Sequence, residues 1–162
     1  MRKNLFWILT AVLMLLTSAA MADDGLGLIT PAIEPDAPEM PARQAVLKGR
    51  PNAVIQYAVQ ERDDGRLEWD VFFTEGTMIG HCEVDAETWT VRREKLYEKP
   101  ADALTADQAV EKLKAAKGQL TILELELERD DGKLVYEGEA ELDGKHYEFE
   151  MTIAGTIVEW ER

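Results

Sequence analysis

The sequence predicts an α+β fold of two tandem modules, each with one helix packed on a four-stranded antiparallel sheet. One observation is a repeat, because Glu61–Leu67 (ERDDGRL) returns 67 residues later as Glu128–Leu134 (ERDDGKL). The second observation is the context of the repeated segment. Each copy comes after a helical pattern in the sequence, and it lies within a stretch where apolar and polar residues alternate. Asp-Gly between two such runs predicts a hairpin, since Gly adopts the positive φ that the tight turn requires.

Residues 1–22 are typical of a secretory signal peptide. Two basic residues, Arg2 and Lys3, precede an apolar run at residues 5–16, and cleavage is expected after Ala22. The run is 12 residues long, which is shorter than the roughly 20 residues of a membrane-spanning helix. We therefore expect an exported protein, periplasmic or secreted, with no membrane span once the signal is removed.

The composition beyond the signal narrows the class of partner. Residues 23–40 contain three prolines and no basic residue, so they are predicted to form an extended acidic linker. The chain has a formal net charge of −14, and removing the two basic signal residues makes it −16 (−14 − 2). A surface this acidic repels phosphate, which argues against nucleic acid as a partner. Cys82 is the only cysteine and cannot form an internal disulfide.

Both modules are predicted to begin with a helix. Residues 41–48 carry a short helical pattern that opens with proline and stops at a glycine. In the second copy Thr105–Gln108 is a capping box, and apolar residues then recur at helical spacing. We accordingly assign the modules to residues 41–98 and 99–162.

Four strands are predicted after each helix. Residues 123–127 alternate leucine with glutamate, which is the pattern of a half-buried strand. The apolar residues of 55–59 fit those leucines at a spacing of 68 instead of 67, so we expect a bulge or longer turn in the first copy. Because each copy has its own helix, hairpin and inward aromatic residue, residues 99–162 are expected to fold when expressed alone.

The order of these motifs resembles the PepSY domain. The residues that carry the resemblance are Leu104–Val110 (LTADQAV) and Leu127–Glu137 (LERDDGKLVYE), and the first copy shares it through Gln44–Val46 and Glu61–Leu67. The resemblance implies a binding or inhibitory role that acts on a separate protein, such as a secreted peptidase. It brings no family catalytic residue to this chain.

The residues that could support chemistry do not form a recognisable site in the sequence. His81 and Cys82 are adjacent in a predicted strand, so their side chains point to opposite faces and cannot share a zinc ion without a bulge. The two Asp-Asp-Gly turns lack the acidic residues spread over about 12 positions that a calcium loop requires. We therefore expect no catalytic residue, no metal ligand and no cofactor.

The outer face of the second sheet is the main candidate binding surface. If the alternation holds, eight glutamates emerge there: Glu124, Glu126, Glu128, Glu137, Glu139, Glu141, Glu148 and Glu150. Like charges directly opposite on neighbouring strands are each destabilising by about 0.2–1 kcal/mol. The face is either a solvated surface that maintains solubility or a docking site for a basic protein surface, and the sequence leaves both open. The candidate partner-binding residues on it are Glu124, Glu126, Glu137, Glu139 and Glu148.

Phe72 is a further candidate for partner binding. It points to the strand face opposite Trp69, between acidic neighbours, so we expect an exposed aromatic side chain. The sequence as a whole favours an exported, non-catalytic binding module, a regulator or inhibitor of a secreted peptidase or another envelope protein. The alternative is a structural or cation-binding envelope protein with no enzyme target. An enzyme with paired acid and base carboxylates is disfavoured, because the glutamates lie on open strands in similar environments.

Overall fold

The computed structural model describes residues 36–63 and 65–162. The signal predicted at residues 1–22 and most of the linker predicted at 23–40 lie outside this range. Within the described residues, no helix is both long and apolar enough to cross a membrane.

Two helices and two four-stranded antiparallel sheets make up the described chain, and the predicted α+β fold class is confirmed. Each sheet follows the order of its strands in the chain, β1-β2-β3-β4 and β5-β6-β7-β8. The first module comprises α1 (Met40–Gly49), β1 (Val54–Asp63), β2 (Arg66–Glu75), β3 (Met78–Asp85) and β4 (Val91–Glu98). The second comprises α2 (Ala106–Lys117), β5 (Thr121–Asp130), β6 (Lys133–Leu142), β7 (Lys145–Thr152) and β8 (Ile157–Glu161).

Local signals explain where α2 begins and which side it buries. The backbone N–H of Thr105 donates to Oε1 of Gln108 at 3.0 Å, which satisfies a donor that the helix leaves unpaired. The apolar residues at helical spacing, Ala109, Val110 and Leu113 among them, are buried. They pack on the second sheet against Leu125 and other residues of one large core.

A β-bulge occurs at the same place in both copies. The register shifts between Ile55 and Tyr57 in β1, and between Ile122 and Glu124 in β5. The bulge that was one of the two expectations for the first copy is present, but the predicted difference between the copies is wrong, because both first strands contain the extra residue. As a consequence Ile122, and not Leu123, is buried in the core. In β1 the bulge places Tyr57 opposite Phe72, on the face away from α1.

The two faces of the first sheet are covered by different parts of the chain. On one face, Val71, Phe73 and Cys82 pack beneath Ala42 and Val46 of α1. On the other face, Val59, Phe72 and Ile79 join the core of the second module. The Phe72 side chain is 1% exposed, and its ring centroid lies 6.4 Å from that of Tyr136. The prediction that Phe72 is an exposed aromatic residue is thus wrong, since the second module covers this face.

Polar contacts also join the modules. The backbone N–H of Leu127, on the edge strand β5, donates to Nδ1 of His81 on β3 at 3.3 Å. Lys95 Nζ on β4 lies 2.9 Å from Oε2 of Glu126 and also contacts Glu128. The boundaries at 41–98 and 99–162 stay predictions about folding units, and the shared core means that neither module is complete without the other.

Candidate functional site

The glutamates on the side of the second sheet away from α2 form a continuous surface, which we call the acidic face. The strand register places them directly opposite one another: Glu124 with Glu139, Glu126 with Glu137, Glu137 with Glu150, Glu139 with Glu148, Glu148 with Glu161, and Glu150 with Glu159. They line an open groove of about 250 Å³. All five glutamates predicted as partner-binding residues therefore lie together, whereas Phe72 is buried elsewhere.

The crowding of carboxylates changes their proton affinities. Partial burial, followed by the charge of Glu139, raises the pKa of Glu124 above its ordinary value. Partial burial, followed by the charge of Glu126, raises the pKa of Glu137 in the same way. Although burial works in the opposite direction, the Lys95 ammonium lowers the pKa of Glu126. Lys95 contacts Glu126 and Glu128, which both lie on β5. Within the described chain, the basic side chain that pairs with this face therefore reaches only its β5 edge.

These shifts predict that acidification stabilises the fold through Glu124 and Glu137. A carboxyl whose pKa is raised in the native state binds a proton more readily there than in the unfolded chain. The resulting stabilisation is fully present below the unfolded value of 4.5 and is lost as the pH rises through the native value. The double variant Glu124→Gln/Glu137→Gln should have a smaller rise in Tm than the wild type between pH 7 and pH 5, in buffers containing EDTA. Equal rises in the two proteins would contradict the shifts.

The internal repeat shows what the acidic face corresponds to in the first module. At the 67-residue spacing, Glu137, Glu139, Glu148 and Glu150 correspond to Asp70, Phe72, His81 and Glu83. Those four residues lie on the face of the first sheet that the second module covers, and all four are buried. The acidic face is therefore the repeat equivalent of a surface that already serves as an interface within this chain.

The fourth strands differ in charge at equivalent positions. In the first sheet Glu83 lies opposite Arg93, and His81 lies opposite Lys95. Glu150 and Glu148, their counterparts in the second sheet, lie opposite Glu159 and Glu161. Arg93 Nη1 is 2.8 Å from Oε1 of Glu83, so the covered face contains its own counter-charge. The acidic face lacks the two basic residues that its repeat equivalent has.

A buried polar cluster lies where the modules meet, and the sequence reasoning missed it. Asp70, His81 and Glu83 each offer a potential metal-ligating atom, and these atoms lie within 4.8 Å of one another. Asp70 and His81 are each only 1% exposed. The sequence signal was the period-2 placement of Glu68, Asp70 and Phe72 on β2, with His81 and Glu83 on β3. This alternation predicts that the residues face solvent, because it contains no information about the docking of the modules.

Burial strongly perturbs the ionisable groups of this region. Burial, followed by the charge of Glu61, raises the pKa of Asp70 to about 10. Burial, followed by the charge of Glu124, raises the pKa of Glu61 to about 7. Burial, followed by the charge of Lys95, lowers the pKa of His81 to about 4. Burial also raises the pKa of the Cys82 thiol to about 12, so Cys82 is a neutral core residue at pH 7 and not an activated nucleophile.

The fold and the site define an α+β protein of two tandem modules. In the first module, the sheet face away from the helix is covered by the second module. In the second module, the equivalent face is the acidic face, which is open. Residues 103–161 match the family model of PepSY, the peptidase propeptide and YPEB domain. The match covers the second module, where the resemblance seen in the sequence is confirmed. No curated protein matches the chain.

One solved structure is similar in outline. It is a crystal structure from Clostridium difficile 630, described as a "putative lipoprotein", with 19% sequence identity and a TM-score of 0.41. The alignment covers 74% of this chain and 89% of that one. A TM-score this low supports no conclusion about the fold or the function of this chain.

Proposed function

We propose that this chain is an exported, non-catalytic binding module, and that its acidic face receives a basic surface of a separate protein. The observation that supports the proposal most is the charge difference between the two repeat-equivalent faces. The covered face of the first module contains Arg93 and Lys95, whereas Glu159 and Glu161 occupy the equivalent positions on the open face. A partner that supplies arginine or lysine would give the open face the counter-charge that its equivalent already has.

The cost of the acidic face to the fold supports the same proposal. Six pairs of glutamates lie directly opposite each other across its strands, as given above. Each such pair works against folding by about 0.2–1 kcal/mol. Solubility alone needs only dispersed charge, whereas attraction of a basic partner benefits from carboxylates concentrated on one rigid sheet.

The family match supports a proposal for the class of partner. The PepSY description refers to peptidase propeptides, so a secreted peptidase with a basic surface is the target class that we propose. The chain would act as its regulator or inhibitor, and the acidic face would be the contact. The neutral Cys82 thiol is consistent with binding without catalysis.

Capture from periplasmic extract or culture fluid of the source cells tests the proposal. The mature protein should retain a partner in low salt, and the variant Glu137→Gln/Glu139→Gln/Glu148→Gln should retain at least tenfold less of it. The control Glu87→Gln/Glu98→Gln/Glu111→Gln removes the same charge from exposed residues outside the acidic face and should leave capture unchanged. If both variants lost the same amount of captured partner, the net charge of the protein alone would explain the loss. That result would contradict a docking role for the acidic face. If the captured protein has peptidase activity, addition of the wild-type protein should change that activity.

A further inference from the structure

Some carboxyl groups around the junction of the two modules have partners and others have none. Three carboxylates there have basic partners: Glu68 lies 3.3 Å from Arg92, Glu83 lies 2.8 Å from Arg93, and Glu126 lies 2.9 Å from Lys95. Among residues 36–63 and 65–162, neither oxygen of Asp70 has a hydrogen-bond partner, and the buried Oε2 of Glu61 has none. Asp70 is buried and Glu61 is half-buried, and polar atoms that are removed from water without a partner cost free energy.

Strand pairing explains why these groups converge. Asp70 on β2 lies directly opposite Glu83 on β3, while His81 is two residues along β3 on the same face. The ligating atoms of these three residues lie within 4.8 Å of one another, a spacing that one cation at the centre could span with metal–oxygen distances of about 2.0–2.6 Å. Glu61 lies on the same face as Asp70, because it is two residues along β1 from Val59, which is directly opposite Asp70.

His81 supplies an observation independent of the carboxylates. Its Nδ1 accepts the backbone N–H of Leu127, so the neutral ring has its proton on Nε2. Within the described part of the chain Nε2 is buried and has no acceptor. An unpaired N–H next to unpaired carboxylate oxygens suits the role of a donor that orients a metal-ligating carboxylate.

We propose that Asp70, Glu83 and Glu61 bind one divalent cation at the junction of the modules, with His81 Nε2 donating to a ligating carboxylate. Oxygen ligands select a hard cation, of which Ca²⁺, Mn²⁺ and Mg²⁺ are the common examples. Arg93 holds Oε1 of Glu83, which leaves Oε2 for the ion. The ion would give a partner to the oxygens of Asp70 and Glu61 that have none.

The cation has a route to this site. An open pocket of about 250 Å³ lies beside the junction, and its lining is mainly acidic, with six acidic and two basic residues: Glu61, Arg62, Asp63, Glu68, Glu83, Arg93, Glu124 and Glu126. Acidic walls raise the local concentration of cations, and the pocket shares Glu61 and Glu83 with the proposed site. Residues of both modules line the pocket, whereas all the proposed ligands lie in the first module.

Titration of the EDTA-treated mature protein with Mn²⁺, followed by electron paramagnetic resonance, tests the site. The wild type should bind one Mn²⁺ that Ca²⁺ displaces, and Asp70→Asn should bind it about 100-fold more weakly or worse, the upper end of the effects seen around metal ligands. The control Glu139→Gln removes the same charge from the acidic face and should retain the wild-type affinity. Equal weakening in both variants would mean diffuse attraction by surface charge and would overturn the proposal.

A second readout separates loss of the site from loss of the fold. Ca²⁺ should raise the Tm of the wild type and leave that of Asp70→Asn unchanged, while circular dichroism shows that both proteins are folded. Asparagine has nearly the shape of aspartate and is neutral, so we expect this variant to fold. Absence of Mn²⁺ binding by the folded wild type would overturn the proposal, and a proton shared between Asp70 and Glu61 would then account for their unpaired oxygens.

Discussion

Replacing Phe72 by alanine should lower the free energy of unfolding by about 3–5 kcal/mol, the range for removing a large buried aromatic side chain. The Phe72 ring is 1% exposed and lies between His81, at 5.2 Å, and Tyr136 of the other module, at 6.4 Å. The truncation would leave a cavity between the two modules, so both should become less stable.

Urea denaturation followed by circular dichroism and tryptophan fluorescence measures this loss. Val158→Ala is a suitable control, because Val158 is 56% exposed on an edge strand and should change stability little. A loss below about 1 kcal/mol for Phe72→Ala would contradict a tightly packed junction.

Residues 99–162 expressed alone should be largely unfolded at 25 °C. The first module contributes Val59, Phe72 and Ile79 to the core around α2. At about 1.5–3 kcal/mol for each buried side chain, their removal costs about 5–9 kcal/mol, comparable to the whole stability of a small domain. This revises the sequence-based expectation that the second module folds by itself.

The dispersion of amide proton signals in a nuclear magnetic resonance spectrum shows whether the fragment is folded. Addition of a second fragment, residues 36–98, should restore dispersion because it supplies the missing side of the core. A well-dispersed spectrum of 99–162 alone, with a Tm near that of the intact protein, would contradict the shared core.

The repeat was sufficient to predict the fold because its signals are local. Gly65 and Gly132 have φ values of 80° and 81°, so each hairpin uses the glycine that its sequence offers. The backbone N–H of Thr105 bonds to Gln108 as the capping box indicates. A bulge in the first copy is among the expectations from the sequence, whereas the bulge in β5 is not, and a single extra residue reverses which side chains face the core. For this reason the alternation wrongly places Tyr57 on the side of α1 and predicts that Leu123, and not Ile122, is buried.

The acidic face could be predicted, whereas the junction could not. Alternation along β5, β6 and β7 is enough to place the glutamates on one side of a sheet. The burial of Asp70, Phe72 and His81 depends on the docking of one module against the other. Contacts between residues distant in sequence determine that docking, and no local pattern encodes them. Lys95 likewise pairs with Glu126 only because the modules are docked.

The association rate of the captured partner, measured against salt concentration, tests the central claim most directly. If the acidic face docks a basic surface, the rate for the wild type should fall at least tenfold between low and high salt, because ions screen the attraction. The variant Glu137→Gln/Glu139→Gln/Glu148→Gln should associate more slowly at low salt and depend less on salt, with a smaller change in dissociation rate. An association rate that is unaffected by both salt and the triple substitution would contradict the account.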